Sequence, residues 1–131
     1  MQLMESGQMY LEALYVLSLE SEMVRAKDIG DYLGYSKPSV SRALVILKKE
    51  GYVSKDEHGF LHLTEAGRRI AEDVFDRHTY LTKLFMMMGV DEKTAGDDAC
   101  RVEHYIGAVT FEAVKAYVKN HEQSEALSDA G

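Results

Sequence analysis

Gly34-Tyr35-Ser36-Lys37-Pro38-Ser39-Val40-Ser41-Arg42 is the stretch that decides the fold. Glycine frees the backbone for a turn, and Ser36 carries an oxygen suited to capping a helix. Pro38 then costs nothing, because first-turn N–H groups have no partner within a helix. Val40, Leu44 and Leu47 recur at helical spacing as the buried face of this helix, and Gly51 suits the position just past its end. Upstream, Ala26, Ile29 and Leu33 predict a short helix over 25–33, and Tyr10, Leu14 and Leu17 predict another from Gln8 to about Ser21. Downstream the period changes. Tyr52-Val53-Ser54-Lys55 and Phe60-Leu61-His62-Leu63 flank the polar loop Asp56-Glu57-His58-Gly59, which predicts a hairpin.

Two short helices joined by a tight turn, then a hairpin, make a winged helix-turn-helix. The remainder reads as helix. Thr64 is expected to cap a long helix with Ile70, Val74, His78, Leu81, Phe85 and Met88 on one stripe, ended by Gly89. Asp91 is expected to cap a fifth helix with Ala95, Ala99, Val102 and Ile106 on its apolar side. Thr110 is expected to cap a sixth with Phe111, Val114, Tyr117 and Val118, and the polar tail from His121 to Gly131 to fray. The expected fold class is mainly α. An N-terminal winged helix-turn-helix with a two-stranded wing spans 1–73, and a C-terminal helical domain spans 74–131.

The 131 residues include a single cysteine, Cys100, so no intrachain disulfide forms, which fits a reducing compartment. The longest apolar run, around Phe85–Met88, is far short of the roughly 20 residues that span a bilayer. Met1-Gln-Leu-Met-Glu5 has neither the basic region nor the apolar core of a signal peptide. A cytoplasmic protein is expected.

Net charge is −7, yet residues 24–55 hold seven bases against three acids. A basic island in an acidic chain is what arises when one segment faces phosphates. On this reading Ser36, Lys37, Pro38, Ser39, Ser41 and Arg42 begin the recognition helix, Arg25 and Lys27 lie near the DNA backbone, and Lys55 lies on the wing. Hydroxyls and lysines suit phosphate oxygens, and Arg42 suits bidentate pairing with guanine. The competing reading is a three-helix domain that binds protein.

Cys100, Glu103 and His104 fall at i, i+3 and i+4, so one helical face presents thiolate, carboxylate and imidazole. Met9 and Glu12 share a face of the first helix, and His78 interrupts an apolar stripe. Six donors of mixed type suit a first-row divalent metal. Each also has an ordinary explanation as a core or surface residue, and spacing alone leaves the choice open.

With these segments in view, the chain resembles the bacterial metal-dependent repressors, the diphtheria-toxin-repressor and manganese-transport-regulator family. The resemblance covers residues 8–120 and rests on five segments in order. They are Met9-Tyr10-Leu11-Glu12-Ala13-Leu14-Tyr15, Ser36-Lys37-Pro38-Ser39-Val40-Ser41, Leu63-Thr64-Glu65-Ala66-Gly67, Arg77-His78 and Ala99-Cys100-Arg101-Val102-Glu103-His104. It implies a homodimer that binds double-stranded operator DNA when Fe(II) or Mn(II) is bound and controls metal uptake genes, with metal binding and dimerisation in 74–131. The iron branch's principal site implies Met9, Cys100, Glu103 and His104 as ligands. The manganese branch implies Glu12 and His78, but carries carboxylates where Met9 and Cys100 stand. The iron branch's second site needs a glutamate where Thr82 stands and a histidine where Gly96 stands, so that site is not expected. No SH3-like third domain is expected, as in the manganese branch. Thiolate and thioether favour Fe(II), with Co(II), Ni(II) or Zn(II) also compatible, over the oxygen-preferring Mn(II). Fe(II) is therefore expected first and Mn(II) second.

No membrane partner or organic substrate is expected. The dimer surface is expected on the fifth and sixth helices, including Ile106 and Phe111, unless these form the subunit's own core. Two other regulators share these features: one sensing a small organic ligand, and one sensing oxidation through Cys100. An enzyme is not expected, because the cluster holds no spare nucleophile or base and no phosphate-cradling glycine loop.

Overall fold

A computed structural model describes residues 5–130, the side chains of 126–130 excepted. Met1–Met4 and Gly131, and with them part of the signal-peptide reading and the end of the tail, lie outside the described residues. The order of elements is α1 (Glu5–Ser18), α2 (Ala26–Leu33), α3 (Lys37–Lys49), β1 (Val53–Lys55), β2 (Leu61–Leu63), α4 (Glu65–Met87), α5 (Glu92–Val102) and α6 (Ala108–Ala130). The chain separates into two compact units, Met1–Val74 and Phe75–Gly131. No helix among the described residues is long and apolar enough to cross a membrane.

In the first unit, α1 packs on α2, α3 and β2, and α2 packs on α3. Leu11, Leu14, Ile29 and Val40 are fully buried at the centre, joined by Tyr10, Val24, Leu47, Val53, Leu61 and Ala71. Gly34 ends α2 in the left-handed conformation, φ +73°, which only glycine adopts without strain. Ser36 caps α3, its Oγ accepting from the Ser39 amide at 3.4 Å, and Pro38 sits in the first turn. Gly51 follows the Glu50 C-cap at φ +86°. The turn and both ends of the third helix thus agree with the sequence reading.

The wing is a two-stranded antiparallel sheet with Ser54 opposite His62. Asp56 holds its loop, accepting from the amides of His58 at 2.8 Å and Phe60 at 3.0 Å, with His62 Nε2 2.8 Å from its second oxygen. The His62 ring, and then the two amides, lower the Asp56 carboxyl from 3.8 to about 2. The Leu61 amide donates to the Val24 carbonyl at 2.8 Å, and the Arg25 guanidinium lies 4.6 Å over the Phe60 ring. The wing is thereby tied to the entrance of α2.

Thr64 caps α4, its Oγ1 accepting from the Gly67 amide at 3.2 Å while donating to the Gly51 carbonyl at 2.6 Å. A Cβ at Gly67 would stand 2.0 Å from the Tyr52 carbonyl oxygen, so only glycine allows this approach.

In the second unit, Leu81, Ala95, Ala99, Phe111 and Val118 are buried. Asp91 caps α5, accepting from the Thr94 amide at 3.0 Å, and that bond lowers its carboxyl below the usual range. Four expectations are corrected. Met88 lies beyond α4 and is 72% exposed. Ile106 lies beyond α5, which ends at Val102. Thr110 is inside α6, not at its cap, because the Gly107 carbonyl already accepts the Phe111 amide. The tail, expected as a frayed end, continues as helix to Ala130 through residues with no proline or glycine to stop it. Phe111 is only 2% exposed, so it belongs to the subunit's own interior.

Candidate metal centre and nucleic-acid interface

His78 projects from the middle of α4, and Cys100 from the last turn of α5, three residues before Glu103 at its C-cap. Spacing of three along a helical turn puts Cys100 and Glu103 on one face. One donor atom each from His78, Cys100 and Glu103 lies within 4.8 Å of the others, close enough for all three to hold one ion. Glu103 is buried, at 1% exposure. Its Oε2 lies 2.9 Å from His78 Nδ1, whereas Oε1 accepts no hydrogen bond. A carboxylate only accepts, so in a neutral ring it is Nδ1 that donates to Glu103. A buried carboxylate with an unused oxygen beside sulfur and imidazole fits a divalent metal, whose charge offsets burial of the anion.

His104 follows Glu103 in the turn where α5 ends. Its side chain is buried, with Nε2 3.4 Å from Glu103 Oε1. Met9 and Glu12 belong to the first unit, both half-buried on α1. There the Tyr35 hydroxyl donates to Met9 Sδ at 3.8 Å. The two positions tied to a second site are spent otherwise: Thr82 Oγ1 donates to the His78 carbonyl at 2.7 Å, and Gly96 faces open space.

The residues of the basic island lie mostly at the surface of the first unit. Arg25, Lys27, Ser36, Lys37, Pro38, Ser41, Arg42 and Lys55 are exposed. Ser39 is half-buried, and its Oγ accepts from the Ser36 hydroxyl at 2.9 Å, so part of its capacity serves the helix cap. A cleft of about 240 Å³ between α3 and the wing is lined by Ser41, Lys48, Lys55 and the apolar Leu44 and Val45. Lys48 counted in the basic island but was given no DNA contact of its own, although its spacing of seven from Ser41 places both on one face of α3. Arg77 appeared in the sequence reading only within the segment Arg77-His78, with no role of its own.

A winged helix-turn-helix with a cationic face, joined in one chain to a helical unit gathering imidazole, thiolate and carboxylate, defines a class: the metal-responsive transcriptional regulators. The family model described as iron dependent repressor, N-terminal DNA binding domain, matches residues 2–59. That described as iron dependent repressor, metal binding and dimerisation domain, matches 64–126. The chain belongs to this family of metal-dependent transcriptional repressors. The HTH-type transcriptional regulator MntR of Bacillus pumilus (strain SAFR-032) is 29% identical over 119 residues, covering 91% of this chain and 83% of that protein. Among solved structures, the manganese regulator SloR superposes with a TM-score of 0.78 at 24% identity, covering 86% of this chain and 53% of SloR. A manganese-dependent transcriptional repressor in complex with manganese gives 0.78 at 25% identity, covering 86% and 52%. The chain therefore spans about half the length of these two solved proteins. The family's members are transcriptional regulators, not enzymes.

Proposed function

We propose that this cytoplasmic protein represses metal uptake genes, binding operator DNA as a homodimer when Fe(II), or in second place Mn(II), is bound. Residues 1–73 read DNA, and 74–131 bind metal and dimerise. The observation that carries the reading is the convergence of His78, Cys100 and the buried Glu103. On this reading His104, Met9 and Glu12 complete the ligand set. A bound divalent cation supplies the positive charge that this anion-rich cluster lacks. The chain's own residues do the rest. His78 holds the Glu103 carboxylate, Ser36 fixes the start of the recognition helix, and Arg42, Ser41, Lys37 and the flanking Arg25, Lys27 and Lys55 engage the duplex.

The Cys100 thiolate and Met9 thioether favour Fe(II), while the names of the relatives MntR and the manganese-dependent repressor favour Mn(II). Affinity order alone would select zinc, so metal availability in the cell has a part in the choice. The second copy is placed on the apolar groove of about 470 Å³ formed by Leu84, Met87, Met88, Val114, Tyr117 and His121. Exposed Met86, Val109 and Tyr117 extend the apolar character of this unit's surface. Dimeric helix-turn-helix proteins read half-sites about 34–36 Å apart or multiples of that, so a fixed separation of two reading heads sets operator affinity.

The test is operator binding by the full chain, under anaerobic conditions, with Fe(II), Mn(II), Co(II) and Zn(II), on duplexes selected from a random pool. Binding is expected to be tightest with Fe(II), then Mn(II). Coupling of about 1–3 kcal/mol is typical and reciprocal, so DNA should tighten metal binding by roughly 5–150-fold. Equal DNA affinity with and without every metal overturns the reading.

A further inference from the structure

Arg77 precedes His78 on α4 and reaches the same residue by a different atom. Its Nη1 donates to the Glu103 carbonyl at 3.3 Å and also to the Ile106 carbonyl. Its guanidinium carbon lies 5.3 Å over the Phe111 ring in the first turn of α6. One side chain thus closes on both ends of the 103–106 turn and on the helix that follows. The turn is where α5 stops, and carbonyls at a helix end have lost their intrahelical donors. It carries Glu103 and His104, both with buried side chains. Glu103 is therefore held twice from α4, by His78 at the carboxylate and by Arg77 at the carbonyl.

We propose that Arg77 is a positioning residue for the metal centre: its guanidinium fixes the 103–106 turn so that the Glu103 carboxylate stays in reach of Cys100 and His78. This rests on reading His78, Cys100 and Glu103 as metal ligands. A planar guanidinium presents donors in a fixed fork, which the single flexible ammonium of lysine does not reproduce. Groups that orient metal ligands from outside the first coordination layer typically change metal affinity by about 10–100-fold when lost. The guanidinium is aimed at carbonyls and a ring, so its role here is geometric. Were it electrostatic, a cation beside a divalent ion would weaken binding, and its removal would tighten it.

The experiment uses the full chain with Co(II) as probe, whose absorption reports thiolate coordination and ligand geometry. Arg77→Lys and Arg77→Gln are compared with wild type and with Arg101→Lys, an exposed arginine on α5 paired with Asp98. Helical content is checked by circular dichroism. Both Arg77 variants are expected to bind Co(II) about 10–100-fold more weakly with a shifted band, and Arg101→Lys to match wild type. Arg77→Lys with wild-type affinity and spectrum, or Arg77→Gln with tighter binding, overturns the proposal. If the glutamine variant loses helical content, Phe111→Leu, which keeps the guanidinium but removes the ring beneath it, is expected to weaken Co(II) in the same direction. Unchanged affinity there also overturns the proposal. A wild-type complex with no thiolate band, matched by an unchanged Cys100→Ser variant, sinks the ligand reading itself. A normal wild-type band with unaltered Arg77 variants sinks only the role given to Arg77.

Discussion

The two units are stabilised by different means. The first closes on hydrocarbon: Leu11, Leu14, Ile29 and Val40 meet with no charged residue among the buried cluster. The second buries a carboxylate, Glu103, and brings an arginine and a histidine against it. An apolar interior is complete once packed. A buried anion with an oxygen that accepts no hydrogen bond gains from a cation, so the second unit's stability should respond to metal more strongly than the first unit's.

Four measurements sharpen or break this contrast. The largest effect is expected from Ile29→Ala, which opens a cavity in the first unit and should cost about 2–5 kcal/mol in denaturant unfolding, with or without metal. A cost that vanished on adding metal would blur the distinction. Next, metal at about 100 times its dissociation constant should raise wild-type stability by roughly 2.7 kcal/mol. Glu103→Gln should show none of that gain, and a full gain in the variant would remove Glu103 from the centre. Ser36→Ala removes the cap of the recognition helix and should cost about 1 kcal/mol, read from the same unfolding curves. The smallest effect concerns acid. The Asp56 carboxyl is held at about 2, below its ordinary 3.8, so the bonds it makes in the wing are intact above about pH 4 and lost as pH falls through 2. The amide resonances of His58 and Phe60 should titrate with a midpoint of about 2; a midpoint near 4 would mean the loop is not held this way.

The same division governs what was legible in the sequence. Ser36, Pro38 and Gly51 mark their helix by rules that act within a few residues, and the turn and both ends of α3 followed from them. Val40 and Leu47 declared the buried face by spacing. Long-range facts were hidden. Thr110 looks like a cap until Gly107 is seen to start the helix earlier. The spacing of Cys100, Glu103 and His104 does not show that α5 ends at Val102 and leaves both Glu103 and His104 in the turn. Arg77 was visible only in the family segment Arg77-His78, and its partners lie 26 and 29 residues away. Gly67 was visible only as part of a family motif. Its reason, the Tyr52 carbonyl 2.0 Å from any Cβ, is a contact across the wing.

The clasp between the wing and the entrance of α2 bears on how such proteins are rebuilt. Phe60 is covered by Arg25, and Leu61 is bonded to Val24, across more than thirty residues of chain. A chimera that grafts a foreign hairpin onto this scaffold must therefore import positions 24 and 25 along with it. Otherwise the transplanted ribbon arrives without its anchor, and a cation meant for the duplex loses its perch.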